Sequence, residues 1–193
     1  MTYARIFKTI EEMMTLRGFR KIRHDFDGTT RESIRIDYIK SENSGTNSDE
    51  YTIILFADQG IGLGKSQIQV YASRLEELGA KNGFIIVDST GNKKAVSSIA
   101  RNSLRSLRIP IEIFADHELV SNILQHELQP EFRIVHKDLH SDIFETFTTP
   151  DKLPKLRYDD PVARFIGCKI GDIVKTRQLI ETGGCEIGYL AVV

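Results

Sequence analysis

The chain is short of net charge, of cysteine and of long apolar runs, and each shortage removes a class of function. Lys and Arg number 26 against 27 Asp and Glu, a formal net charge of -1, so the molecule as a whole lacks the basic field with which an autonomous nucleic-acid binder attracts phosphate. Any nucleic-acid contact must be local. The 2 cysteines, Cys168 and Cys185, form neither a disulfide framework nor a closely spaced metal pair, which fits a reducing compartment and two buried or half-buried thiols. No apolar run approaches the roughly 20 residues of a membrane span, and the first residues lack a signal-peptide core. The expectation is a soluble protein that stays on the synthesis side of the membrane. No block of about five basic residues occurs, so nuclear entry would depend on a partner. There is no internal repeat and no low-complexity segment.

What is present suits ordinary globular packing. A chain of 193 residues with 40% hydrophobic residues can form one large or two small domains with adequate cores. Ile6, Ile10, Met13 and Met14 share one helical face, and Gly18 stops that helix. Ile34, Ile36 and Tyr38 alternate with polar residues as in a half-buried strand, and residues 51–57 are apolar enough for a central one. Residues 41–50 between them read as a solvated loop. Ile68, Tyr71, Ala72, Leu75 and Leu78 make a second helical stripe, 83–87 a strand, Val96, Ile99, Ala100, Leu104 and Leu107 a third helix, and 110–114 another strand. Strands alternating with helices of this length predict an α/β domain with a mixed sheet over residues 1–120. A helix within 116–128 is predicted to lead into a small α+β domain over 121–193, which contains 132–136, 138–147, a capped turn and a terminal β-hairpin.

Several segments suggest enzymes and then fail on spacing. Gly60-Ile61-Gly62-Leu63-Gly64-Lys65-Ser66 lies between a strand and a helix, the setting of a phosphate-binding loop. Gln59 stands where a first Gly must let the backbone curl round the phosphates, and no Asp is seen to end a later buried strand as magnesium partner. The segment reads as a strand-to-helix connection, with Lys65 and Ser66 opening the helix. Asp37 could be the first carboxylate of a metal nuclease, but 51–57 supplies neither a second acid nor a Lys, so Asp37 reads as a strand-end or surface residue. His117-Glu118 and His126-Glu127 begin like zinc-protease helices, yet Ser121 and Pro130 occupy the positions of the second His. His136 and His140 alone are a weak pair and read as solvated surface. No nucleophile elbow and no Cys/His nucleophile pair occurs. Lys93 and Lys94 sit where a turn opens the third helix, with Arg101, Arg105 and Arg108 further along. Backbone N–H groups and two ammonium groups there could clamp a phosphate or simply form a solvated helix face.

The most specific run is Asp160-Pro161-Val162-Ala163-Arg164-Phe165-Ile166-Gly167-Cys168-Lys169-Ile170-Gly171-Asp172. Asp160 can cap a helix, Pro161 suits its first position and Gly167 can end it, so a one-turn helix is specified, with Arg164 predicted to be exposed on it. Residues 169–172 turn into a strand over 173–180, and Glu181-Thr182-Gly183-Gly184 turns again into 185–193. Lys175 and Arg177 alternate on one side of this hairpin. Ile173, Val174, Leu179, Ile187, Tyr189 and Val192 are available for core or interface.

This run, with His126-Glu127-Leu128-Gln129-Pro130-Glu131-Phe132 and Leu153-Pro154-Lys155 before it, resembles the family comprising the fifth subunit shared by the eukaryotic nuclear DNA-directed RNA polymerases and its short archaeal RNA polymerase counterpart. Gln129, Phe132 and Leu190 depart from the family's Val, His and Arg. Ile6 through Phe19 looks like the first helix and Arg-Gly-aromatic turn of the longer eukaryotic form, and the likeness recurs at 71–87. The resemblance implies a non-catalytic subunit of a DNA-directed RNA polymerase, with no catalytic residue, metal or cofactor of its own. It implies a restriction-endonuclease-like, catalytically inactive N-terminal domain in the jaw around downstream duplex DNA, with Lys93 and Lys94 as candidate DNA contacts. The C-terminal domain would dock on the largest subunit among other polymerase subunits. Its interface candidates are His126, Glu127, Pro130, Arg164, Lys175 and Tyr189. The expected location is the nucleus, or a viral factory or virion for a large DNA virus, with no membrane partner. The alternatives are a metal-dependent nuclease or nucleotide-binding enzyme on the same α/β scaffold and a free-standing regulatory module.

Overall fold

The computed structural model describes residues 3–26, 30–40, 49–58, 63–88, 104, 106–147, 152–180 and 183–193. The chain divides into two compact units, Met1–Ser121 and Asn122–Val193.

The first unit is built on a five-stranded sheet in chain order: β1 (Arg20–Asp25), β2 (Arg35–Lys40), β3 (Glu50–Phe56), β4 (Asn82–Val87) and β5 (Ile111–Ala115). The first three strands are antiparallel and the last three parallel. Parallel strands covered on both faces are expected to be apolar throughout, and Ile53, Ile54, Leu55, Phe56, Phe84, Ile85, Ile86 and Val87 are all buried. Helix α2 (Lys65–Glu77), joining β3 to β4, lays Ile68, Tyr71, Ala72 and Leu75 on the face that carries Ile53, Leu55, Ile85 and Val87. Helix α1 (Tyr3–Leu16) buries Ile6, Ile10, Met13 and Met14. It belongs to the opposite face, where Phe7 meets Phe56 edge-on and Arg17, one residue beyond the helix, lies over the Phe84 ring. Gly18 follows at φ 84, the left-handed conformation that ends the helix.

Three differences from the sequence reading have physical causes. Strand β1 was not expected, because Arg-Lys-Ile-Arg-His-Asp has no apolar alternation. It is an edge strand, largely exposed, and is specified by backbone pairing to β2. The helix expected within 116–128 is instead two short 3-10 turns, Asp116–Leu119 and Ile123–Gln125. Asp37, expected at a strand end or on the surface, is 1% exposed in the middle of β2. Most of the expected third helix lies outside the described residues, although Leu104 and Leu107 do pack against the α2-side core.

The second unit has a four-stranded sheet in the order β6 (Glu131–Ile134), β8 (Ile173–Ile180), β9 (Gly184–Val192), β7 (Lys155–Leu156). Its two small cores lie on opposite faces. Helix α3 (His140–Phe147) sets Ile143 against Leu153 and Ile173, with Tyr189 and Ala191 alongside. Helix α4 (Pro161–Ile166) sets Ile166 against Val174 and Val192, with Phe132 and Leu190 alongside. The short helix is formed as its sequence dictates. Asp160 Oδ1 accepts the Val162 N–H at 2.8 Å, Pro161 fills the first turn, and Gly167 closes it at φ 79.

Candidate assembly surface

The terminal hairpin is longer than the core beneath it. Along β8 the residues pass from buried Ile173 and Val174, through half-buried Lys175 and Thr176, to four consecutive exposed ones, and β9 shows the mirror-image gradient. Leu179 is 78% exposed and Ile187 47%, so these two, available on sequence for core or interface, lie outside the unit's own core. Directly paired residues of an antiparallel ladder share a face. Lys175 is opposite Tyr189, Arg177 opposite Ile187 and Leu179 opposite Cys185, while β6 places Arg133 beside Lys175 and Glu131 beside Arg177. The result is one face with three cations, one carboxylate and a row of apolar side chains. The exposed Arg177 guanidinium, hydrogen-bonded to the Cys185 side chain and beside Glu131, is held above the ordinary arginine value. Cys185 is therefore exposed and Cys168 half-buried, not two sheltered thiols.

The structure pairs only some of the interface candidates. Lys175 and Tyr189 are register partners. His126, whose Nδ1 accepts the Leu128 N–H at 3.3 Å, and Glu127 are exposed on the segment that leads through half-buried Pro130 into β6. Arg164 is half-buried rather than exposed. Its helix lies against the turn Ile123–Gln125 and β6, so burial of Val162, Ala163, Phe165 and Ile166 draws the remaining residue of the turn part-way in. Sequence reasoning passed over Arg133. The signal was its alternation with Glu131, which sets the two on one face of β6. Lys93 and Lys94 lie outside the described residues.

The enzymatic alternatives can be tested against geometry in the first unit. Asp37 is engaged on both oxygens: Arg35 Nε and Nη2 each lie 2.7 Å away, and the Tyr51 hydroxyl donates to Oδ2 at 2.7 Å. The Asp37 hydrogen bond raises the Arg35 pKa, while burial, above all, raises that of the Tyr51 phenol. Strand β3 does begin with an acid, Glu50, which bonds Asn82. Asp37 pairs with Ile53 and Lys40 with Glu50, so the two carboxylates lie on opposite faces and cannot share a metal ion. Asp88 and Asp116 do follow buried strands, at positions that align with Asp58 after β3. Asp116, however, is paired with Arg31 at 3.2 Å. Gly64 caps α2 and Lys65 and Ser66 open it, exposed, as expected of a plain helix start. His136 bonds Asp138, and His140 faces the Val135 carbonyl. Among the described residues no group of three or more His, Cys, Asp or Glu is placed to hold a metal ion.

Residues 121–192, nearly the whole second unit, match the family model described as RNA polymerase Rpb5, C-terminal domain. Over that stretch the chain resembles the Rpb5 family. Likeness to individual members extends over the first unit as well. The chain is 26% identical to the DNA-directed RNA polymerases I, II, and III subunit RPABC1 of Caenorhabditis elegans, over 98% of this chain and 94% of the relative. It is 27% identical to the Dictyostelium discoideum subunit of the same name, over 83% and 79%. It is 29% identical to the DNA-directed RNA polymerase subunit 5-like protein 1 of Arabidopsis thaliana, over 72% and 65%. The first two relatives are named as subunits of RNA polymerases I, II and III, and the third as a subunit 5-like protein. Among solved structures, that of restriction endonuclease FokI is similar at a TM-score of 0.30 and 15% identity, over 60% of this chain and 23% of that one. At that score the likeness carries no argument.

Proposed function

We propose that this chain is a non-catalytic subunit of a nuclear multisubunit DNA-directed RNA polymerase. Its C-terminal unit docks on the largest subunit, and its N-terminal unit contributes to the jaw around downstream DNA on a catalytically silent, endonuclease-like scaffold. The observation that carries the reading is the coincidence of the family match at 121–192 with a unit whose terminal hairpin runs on past its own core. Such a surface has apolar and cationic side chains to offer a partner. His126, Glu127, Pro130, Arg164, Lys175 and Tyr189 are the proposed docking residues. Duplex contact falls to Lys93 and Lys94.

The test is purification of the tagged full-length chain from its cell, with every stoichiometric partner identified. Recovery of the two large polymerase subunits is expected, and a preparation that holds neither sinks the reading. The DNA contact has its own readout. Lys93→Glu with Lys94→Glu should lower the salt dependence of polymerase–DNA complex stability by about one to two phosphates' worth of counterion release. An unchanged salt slope removes those lysines from the jaw.

A further inference from the structure

Resting on that docking reading, we infer that the outer edge of β9 is a strand-addition site, on which an extended segment of the docked polymerase subunit pairs backbone to backbone beside Ile187. The sheet has β7 on this edge, and β7 reaches only Ala191 and Val192. Ala191 N–H donates outward to the Pro154 carbonyl at 2.9 Å, and Val193 N–H to that of Leu156 at 2.9 Å. The ladder to β8 runs without a register shift from Ile173↔Ala191 to Ile180↔Gly184. Backbone groups two residues apart therefore point the same way, and those of Ile187 and Cys185 face the same outer edge. No described strand pairs there. The edge has already shown that it accepts a strand, and β7 simply stops short.

Edge strand β1 of the first unit is built differently. Strand β1 carries Arg20, Lys21 and Arg23, the charged guard with which proteins keep an edge from pairing. Strand β9 carries a single charge, Glu186, no proline, and an exposed Ile187 flanked by Gly188. An unguarded apolar edge on a folded protein calls for a strand, and main-chain pairing of this kind gives affinity while alternate side chains give specificity. The side chains select the occupant. The face shared by Ile187 and Tyr189 also carries Arg177, Lys175 and Arg133 against Glu131. An added strand lies two strand spacings, about 10 Å, from Lys175 and Arg177, within the combined reach of a long cation and a carboxylate. The segment that fits is extended, with apolar residues alternating with acidic ones on that face. A second copy of this chain would bring its own cations against these.

The substitution Ile187→Pro removes one outward N–H and should leave the β8 ladder intact, as Pro is tolerated where an edge N–H faces solvent. Ile187→Ala keeps the N–H and trims the side chain. With the tagged full-length chain in its cell, Ile187→Pro is expected to fold, by circular dichroism and melting, and to recover at least about tenfold less large subunit. Ile187→Ala should recover more than Ile187→Pro. Hydrogen exchange on the wild-type chain is the second measurement. The Cys185 and Ile187 amides should exchange fast in the free chain and at least about a hundredfold slower in the assembled enzyme. Undiminished recovery by a folded Ile187→Pro overturns strand addition and leaves docking standing, as do amides that stay fast on assembly. If Ile187→Pro unfolds, the exchange result decides. A wild-type chain that recovers no polymerase subunit sinks both readings, and a dimer of the free chain abolished by Ile187→Pro makes the occupant a second copy.

Discussion

Arg31 Nη1 stands 3.2 Å from Asp116 Oδ2, with both side chains more than nine-tenths buried. The guanidinium also lies over the Phe56 ring, and its Nη2 reaches the Ile86 carbonyl. Arg31 thus ties the 3-10 turn before β2 to the ends of β3, β4 and β5. A buried charge pair is costly to break from one side, because the remaining charge stays buried without compensation, whereas replacing both partners with apolar groups can be neutral. Asp116→Ala should therefore destabilise the chain by about 3–5 kcal/mol, and Arg31→Met with Asp116→Leu by much less. Urea unfolding of both variants checks this. Equal losses would mean that the pair acts through something other than its charge.

Alkaline stability should report on Tyr38. This residue is 1% exposed in β2, and burial, helped by the charge of Glu11, holds its phenol well above the ordinary value of 10.0. The neutral form is the one the fold favours. The contribution is fully present below the unfolded pKa and is lost as pH rises from there toward the folded one. Each pH unit above about 10 should cost about 1.4 kcal/mol through this group. Tyr51 and Tyr71 are shifted in the same direction, so the decisive quantity is the difference between wild type and Tyr38→Phe. The variant should lose stability more slowly over that window. Identical alkaline slopes would refute the assignment.

Legibility followed local chemistry. The capped turn at Asp160, Pro161 and Gly167 was readable because each residue type has one backbone preference at its position. The apolar runs of β3 and β4 were readable because both their faces are covered. Strand β1 was not, since an exposed edge needs no apolar pattern, nor were the 3-10 turns at Asp116 and Ile123, whose side chains fit a longer helix equally well. Of the docking surface, the pairing of Lys175 with Tyr189 follows from hairpin register. The exposure of Leu179 and Ile187 depends on where α3 and α4 stop covering the sheet, and the half-burial of Arg164 on the packing of α4 against β6 and the turn Ile123–Gln125. Both are tertiary facts without a local signature.

Gly83 shows a constraint visible only in packing. It is buried in β4 with no unusual φ, yet a Cβ built on it would run into Leu75 Cδ1 of α2, with Cδ2 and Cγ at 3.3 Å. Leu75 is fully buried in the same core and has little room to turn. Gly83→Ala should cost about 1–3 kcal/mol by overpacking. Combining it with Leu75→Ala should give a loss smaller than the sum of the two, because the added methyl fills part of the space vacated. Strict additivity in a thermal or urea double-mutant cycle would show that α2 and β4 are not in the contact described.

Arg164 offers the sharpest separation of fold from assembly. Its N–H donates to the Asp160 carbonyl at 2.9 Å, and its own carbonyl accepts from Gly167 at 3.2 Å, so its backbone belongs to the capped turn whatever the side chain does. The side chain is half-buried, and such a residue contributes by its apolar stem as well as its charge. Arg164→Glu changes both the charge and the stem, while Arg164→Gln removes the charge and keeps much of the length. If the guanidinium is a docking group, both variants should weaken copurification with the largest subunit, Glu more than Gln. Gln should leave the melting temperature within a few degrees of wild type, about the effect of 1 kcal/mol in a chain of this size. Should copurification fall only as far as melting falls, in both variants, Arg164 serves the small helix alone. A full yield of assembled complex from a folded Arg164→Glu would place docking elsewhere on the unit.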